Sequence, residues 1–264
     1  MPDPALEARI AAGRRAVADQ VDLFVASFGA VESEWKADSS RVTEVDRAIS
    51  ERVLGFLGQA FPGDVLCSEE SAPETAPIPV DSRFAWVLDP VDGTNNYAMG
   101  LPDCAISLAL LREGFPVYGW VYDFAGKRLI HGGAARGVFA GDGPLRCHRP
   151  AESGSGPIGL QFPIRDKRLA RLLPLLEDHR IRSLGSGTME GVYVATGALS
   201  GAVDFRVKVW DIAAFIAFFE ETKTPYEFLD QSPFPLRSFH PHVGPTPYLA
   251  GTQAFCRMVK GLLG

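Results

Sequence analysis

The chain has 264 residues, 46% of them hydrophobic and 22% charged, with a formal net charge of −6. That supports a real core in one large domain or two packed halves. An acidic balance with no Lys/Arg-rich block argues against nucleic acid or an anionic membrane surface as the main partner, and no apolar run approaches the ~18 residues of a spanning helix.

Leu6, Ile10, Ala11, Val17, Val21, Phe24 and Val25 recur at three- and four-residue steps and predict a helix over residues 5–28. This acidic, helix-like start lacks the basic stub and apolar stretch of a signal peptide. After the polar stretch ESEWKADSSR, a second helix is expected from Thr43 to Ala60, stopped by Pro62-Gly63. Strands are expected at DVLCSE, FAWVLD, AISLALL, VYGWVYD and GVFAG, with Gly-rich turns such as GDG between them. The segment ESGSGP, residues 152–157, marks an internal boundary that divides the chain into halves 1–152 and 153–264. Beyond it the pattern alternates. Strand GLQFPI precedes a helix from Asp166 to Glu177, and strand IRSL precedes a helix from Met189 to Leu199. Strand VDFRV then leads to a helix from Asp211 to Glu221, followed by YEFL, a Pro-rich loop, YLAG and a final helix. This order predicts an α/β (α+β) fold of stacked helix and sheet layers. Four cysteines, Cys67, Cys104, Cys147 and Cys256, form no CxxC pair and read as free thiols of a reducing cytoplasm.

The stretch WVLDPVDGTNNY, residues 86–97, ends an apolar run in two aspartates. Pro90 and Gly93 argue for a turn leaving the strand, in which Asp89, Asp92 and the Val91 carbonyl converge on one point. Hard divalent cations such as Mg²⁺ want such oxygen ligands. The competing reading is an Asx-turn in which the aspartates cap backbone amides. CSEES places Glu69 and Glu70 at the end of another apolar strand. VWDIAAF places Asp211 at a helix start, where an N-cap is the plain alternative. TEVD places Asp46 in an amphipathic helix, where a solvated face is the plain alternative. Convergence on a metal explains these acids together.

SEES, DPVDGTNN and WDIAA resemble, in order and spacing, three signatures of the inositol monophosphatase family of Mg²⁺-dependent, lithium-sensitive phosphomonoesterases. Glu69 precedes Asp89 by 20 residues, as in that family, and the resemblance extends to VTEVD and SLGSGTMEGVYVATG. It implies a layered αβαβα sandwich of the inositol monophosphatase and fructose-1,6-bisphosphatase type. It also implies two or three Mg²⁺ ions, a small phosphorylated metabolite as substrate and a homodimer. By matching position, Glu69, Asp89, Asp92, the Val91 carbonyl and Asp211 would be metal ligands. Gly93 and Thr94 would offer backbone N–H groups to phosphate. The Thr94 hydroxyl and Glu69 would orient the attacking water, with Asp46 nearby. Glu70 would sit further out. None of the five histidines falls in a motif.

The resemblance weakens around the substrate. Gly185-Ser186-Gly187-Thr188 stands where the family holds Gly-Thr-Ala, Asp204 where it typically holds Glu, and Phe215 where a Gly is common. Inositol monophosphate is the first expectation. Histidinol phosphate, fructose 1,6-bisphosphate and a nucleotide 3′-phosphate are alternatives, as is a non-catalytic homologue that binds phosphorylated ligands. Arg206 and Lys208 either meet a second anionic group or are surface charges on a strand. A structural Ca²⁺ site is disfavoured by the lack of a DxDxDG loop.

Overall fold

The computed structural model describes residues 3–35, 41–70, 76–145, 148, 156–164 and 167–264. The division between residues 152 and 153, and Cys147, lie outside the described residues.

Two helices form the N-terminus where one was expected: α1 (Pro4–Ala18) and α2 (Val21–Ser27). The break falls at Asp19 and Gln20. The Asp19 N–H bonds the Arg15 carbonyl and the Gln20 N–H the Val17 carbonyl, and the redirected chain delivers Phe24 onto Tyr97, ring centroids 4.8 Å apart. The hairpin β1 (Ser33–Trp35) and β2 (Arg41–Thr43) leads into α3 (Glu44–Ala60). Thr43 caps α3 and Asp46 closes the capping box. Then come β3 (Val65–Ser68), β4 (Ile78–Pro79), β5 (Phe84–Asp92) and the short α4 (Thr94–Met99). A meander follows: β6 (Ala105–Arg112), β7 (Phe115–Asp123), β8 (Arg128–Gly133), β9 (Val138–Ala140) and β10 (Gly143–Pro144). The second half holds β11 (Ile158–Leu160), α5 (Lys167–Asp178), β12 (Ile181–Arg182), α6 (Gly187–Ala195) and β13 (Gly201–Asp204). It closes with α7 (Val209–Thr222), β14 (Tyr226–Phe228), β15 (Ser238–Phe239), β16 (Tyr248–Gly251) and α8 (Gln253–Leu263).

The larger sheet has the order β10-β9-β8-β7-β6-β5-β3, antiparallel except for the β3–β5 pair. The smaller has the order β12-β11-β13-β16-β14, with β11 parallel to both neighbours. Helices α1 and α3 cover one face of the larger sheet, where Phe24, Ile49, Trp86 and Trp120 share a core. Helices α6 and α7 lie between the two sheets, and Phe215, Phe218 and Phe219 fill that layer. The Phe215 position, small in the expected pattern, is filled because Gly191 on α6 leaves room: a Cβ there would come within 2.4 Å of the Phe215 ring. Helices α5 and α8 close the far face around Leu172, Phe255 and Val259. The result is the layered αβαβα sandwich.

Strand VDFRV is shorter than expected. The Asp204 carboxylate accepts the N–H groups of Arg206 (2.6 Å) and Val207 (3.3 Å), which bends the chain out of the sheet after β13. Arg206 and Lys208 are therefore on the connection into α7 rather than on a strand. At the other end of the site, β5 is pinned by Trp86. Its ring is fully buried, stacks on Trp120 at 5.8 Å, and donates its indole N–H to Asp64 at 2.8 Å.

Candidate active site

On a regular strand Asp89 and Asp92, three residues apart, would project to opposite faces. Here β5 takes three steps, from Asp89 to Asp92, while β6 takes two, from Ser107 to Ala105. The extra residue is a bulge, and it turns both carboxylates to one side. Pro90 sits in the bulge, where its missing N–H leaves no ladder bond unmade. The expected turn after Asp89 is thus corrected: the strand continues through Asp92, and the chain turns at Gly93. Gly93 has φ 77° and ψ 37°, and a Cβ there would lie 2.9 Å from the Asp103 carbonyl. No other residue fits the start of α4 without displacing backbone.

Asp211 comes from the other half of the chain. Helix α7 begins two residues earlier than the sequence suggests, so Asp211 occupies the third helical position instead of the N-cap. Its Oδ2 accepts the Lys208 N–H at 2.7 Å. Helix α6 packs its first turn against this start: the Thr188 hydroxyl donates to the Asp211 carbonyl at 3.0 Å. A side chain at Gly187 would meet Val207 at 2.6 Å. Ser186 is the α6 N-cap, accepting the Met189 N–H at 3.2 Å and donating its hydroxyl to Asp92 Oδ2. The Thr188 N–H reaches the same oxygen at 3.0 Å. The second half thereby orients an aspartate of the first.

Asp89, Asp92 and Asp211 each offer an oxygen, and these atoms lie within 4.8 Å of one another. Asp89 is 2% exposed and Asp92 6%. Burial pushes the Asp89 carboxyl well above the usual range, and the charges of Glu69, Asp92 and Asp211 push it further. Asp211 is likewise raised, by burial first and then by Asp92. Burial also raises Asp92, against the opposing hydrogen bonds from Ser186, Thr188 and Gly187. Three crowded carboxyls that resist ionisation are stabilised by a cation. An all-oxygen donor set of this kind suits Mg²⁺.

Asp46 is 1% exposed, not on a solvated face. Its Oδ2 accepts both the N–H (2.8 Å) and the hydroxyl (2.5 Å) of Thr43, and its Oδ1 lies 3.3 Å from the Thr94 hydroxyl. The same hydroxyl lies 2.8 Å from the Val91 carbonyl. Capping and site-building therefore coincide at Asp46, and the two readings of it are not exclusive. Glu69 is half-buried at the end of β3, its N–H bonded to the Leu88 carbonyl at 3.2 Å.

These groups open onto a cleft of about 650 Å³. Glu69, Asp89, Val91, Asp92 and Asp211 line its floor, and Gly93, Thr94, Gly185, Gly187 and Asp204 its walls. Asp46 and Ser186 lie behind the surface, acting on Thr94 and Asp92. Burial pushes Asp204 up to about 6, against the two N–H groups it accepts. Arg206 and Lys208 reach the cleft, each also donating to a backbone carbonyl, of Phe162 at 3.3 Å and Val243 at 2.5 Å.

Sequence reasoning passed over several residues here. Asn96, inside the quoted motif, donates from Nδ2 to the carbonyls of Asp103 (2.7 Å) and Leu184 (2.6 Å), tying the two halves together. Gln161 accepts the Gly185 N–H at 3.1 Å. Glu190 is fully buried, neither of its oxygens has a hydrogen-bond partner among the described residues, and burial raises it well above its usual range. Trp35 and Arg41 line the mouth of the cleft. Only Asn96 carried a signal, as the second of the two Asn residues after DPVDGT.

Residues 1–254 match the model of the Inositol monophosphatase family. A curated relative from Mycobacterium tuberculosis, the probable inositol 1-monophosphatase ImpA, is 37% identical over 205 residues, 74% of each chain. The putative Nus factor SuhB of Neisseria meningitidis is 30% identical over 219 residues, 80% of this chain and 82% of its own. A solved IMPase/NADP phosphatase complexed with Mg²⁺ and phosphate superposes with a TM-score of 0.79 at 24% identity, covering 93% of this chain and 91% of that one.

Proposed function

The chain belongs to the inositol monophosphatase family of phosphoric monoester hydrolases, and from that premise we propose that it hydrolyses a small phosphate monoester with the help of two or three Mg²⁺ ions. Inositol monophosphate is the substrate favoured first. The observation that carries this reading is the convergence of Asp89, Asp92 and Asp211 within 4.8 Å in a cleft wide enough for a small metabolite. That a relative is named an inositol 1-monophosphatase supports the substrate, and that a protein of this fold was solved with Mg²⁺ and phosphate supports the ions.

In this reading Glu69, Asp89, the Val91 carbonyl, Asp92 and Asp211 hold the ions. Bound Mg²⁺ supplies the positive charge that a phosphate dianion needs and makes a water acidic enough to attack. The protein's own part is positioning. Ser186 and Thr188 occupy Asp92 Oδ2, leaving Oδ1 for a cation, and the Lys208 N–H does the same at Asp211. Asp46 and the Val91 carbonyl fix the Thr94 hydroxyl, which with Glu69 orients the attacking water. Backbone N–H groups of Gly93 and Thr94 receive the phosphate. Gly185, Ser186, Gly187 and Asp204 shape the place of the leaving alcohol, Ser186 from beneath. We further propose a cytoplasmic homodimer as the working unit, each chain divided into halves 1–152 and 153–264. Light scattering of the purified chain reads the oligomer directly.

The test is phosphate release from a panel of phosphate monoesters with Mg²⁺, with and without Li⁺, against an Asp89→Asn control. Turnover that requires Mg²⁺ and falls with Li⁺ supports the reading. Turnover no greater than the control sinks it and favours a non-catalytic, ligand-binding homologue. Preference for histidinol phosphate, a bisphosphate or a nucleotide 3′-phosphate would revise the substrate alone.

A further inference from the structure

A hydroxyl buried without a hydrogen-bond partner is rare in a folded chain and calls for a reason. Ser107, in the middle of the larger sheet, is such a case: it is 0% exposed and its Oγ has no partner among the described residues. On β6 it shares a face with Ala105, Ala109 and Leu111, which belong to the core between the two sheets. Ile106, Leu108 and Leu110 point into the core on the other side. Across the ladder on β7, Ser107 stands opposite Val121, whose side chain offers nothing to bond. Across the ladder on β5 it stands opposite Asp89. Residues directly opposite in an antiparallel pair project to the same face, with Cβ atoms about 4.5–5.5 Å apart. The one polar side chain that Ser107 meets across either ladder therefore belongs to the acid triad.

The other two acids show what such a neighbour does. Asp92 is fixed from a different element, by the Ser186 hydroxyl and the Thr188 N–H on its Oδ2. Asp211 Oδ2 accepts the Lys208 N–H. Asp89 Oδ1 accepts the Val91 N–H at 3.1 Å, a donor from its own bulge. Ser107 stands to Asp89 as Ser186 stands to Asp92, but its hydroxyl is not yet engaged. In that condition a serine carries a desolvation cost that an alanine, the residue at 105 and 109, does not. The cost disappears in a state where the hydroxyl finds an acceptor.

We infer that Ser107 is a positioning residue for the metal centre, resting on the phosphatase reading above: with ions bound, its hydroxyl turns about χ1 and donates to the Asp89 carboxylate, holding it in the orientation the ions need. A rotation of one small side chain is the whole rearrangement, and the strands stay paired. Because the bond belongs to the loaded chain and not to the empty one, the hydroxyl favours ion binding and penalises the empty chain. Removing it should move ion affinity and metal-free stability in different directions, a pattern that a merely structural serine does not give.

The test is Mn²⁺ titration followed by electron paramagnetic resonance, without substrate, on wild type, Ser107→Ala, Ser107→Thr and Asp89→Asn. Ser107→Ala should raise the Kd of the tightest Mn²⁺ about tenfold, while its melting temperature in chelator equals or exceeds that of wild type. Ser107→Thr, which keeps the hydroxyl, should keep most of the affinity. In phosphate release, the Mg²⁺ concentration for half-maximal rate should rise in Ser107→Ala by a similar factor, with kcat at saturating Mg²⁺ little changed. Unaltered Mn²⁺ affinity in Ser107→Ala, or lower affinity together with a lower melting temperature in chelator, overturns the proposal alone. Wild-type Mn²⁺ binding no tighter than that of Asp89→Asn overturns the metal-dependent phosphatase reading, and the proposal with it.

Discussion

The floor and the mouth of the cleft are built in opposite ways. On the floor Asp89, Asp92 and Asp211 sit at the end of a core strand or in the first turn of a buried helix, and backbone or hydroxyl donors fix one oxygen of each. At the mouth, Trp35 belongs to a three-residue strand and Phe162 to a connecting segment, and both are exposed. The contrast separates two tasks. Geometry that must hold charged groups together is welded into the layers, whereas the aromatic side chains of the rim stand where a substitution disturbs little.

The largest effect expected from breaking that contrast is on the floor. Asp89→Asn should lower Mg²⁺-dependent phosphate release by about a thousandfold or more. In chelator, the same variant should unfold at a higher temperature than wild type, because it removes one of the crowded charges. Next comes Ser186→Ala, which removes one of the two donors on Asp92 Oδ2, leaving the Thr188 N–H, and removes the α6 cap. We expect the Mg²⁺ concentration needed for half-maximal activity to rise about 10- to 100-fold, with about 1 kcal/mol of stability lost to the cap.

The pH dependence of stability distinguishes the floor again. Asp89, Asp92 and Asp211 lie above their usual range, and Asp204 lies at about 6. A raised native pKa means that the folded chain keeps protons which the unfolded chain has released. The stability these groups contribute is present below about pH 4 and is lost as pH rises through their native values. Chelated protein should therefore lose on the order of 2 kcal/mol in urea titrations between pH 5 and 8, and Mg²⁺ should flatten the slope. The smallest effect belongs to the mouth: Trp35→Ala should change the urea-derived stability by less than about 0.5 kcal/mol.

The acids were legible in the sequence because a metal site needs particular residue types at fixed spacing, and SEES, DPVDGT and WDIAA supply them. How Asp89 and Asp92 come to share one side was not legible. That depends on a bulge set by the pairing of β5 with β6, a long-range register that the local pattern cannot reveal. Asp46 was read as either a solvated or a functional acid, because helix periodicity does not show that Thr94 arrives 48 residues later to meet it. The layer order followed from element order. The break between α1 and α2 did not, since it depends on where Phe24 meets Tyr97. Trp35 carried no signal, because an aromatic residue in a polar stretch gains its meaning only from the cleft beside it.

The most direct test is anomalous diffraction from crystals of the chain soaked in Mn²⁺ as a stand-in for Mg²⁺. The account predicts a peak between Asp89, Asp92 and Asp211, with carboxylate oxygens of all three within about 2.0–2.4 Å of bound ions and a loss of that peak in Asp89→Asn. Mn²⁺ found only elsewhere, with none among these three side chains, would contradict it.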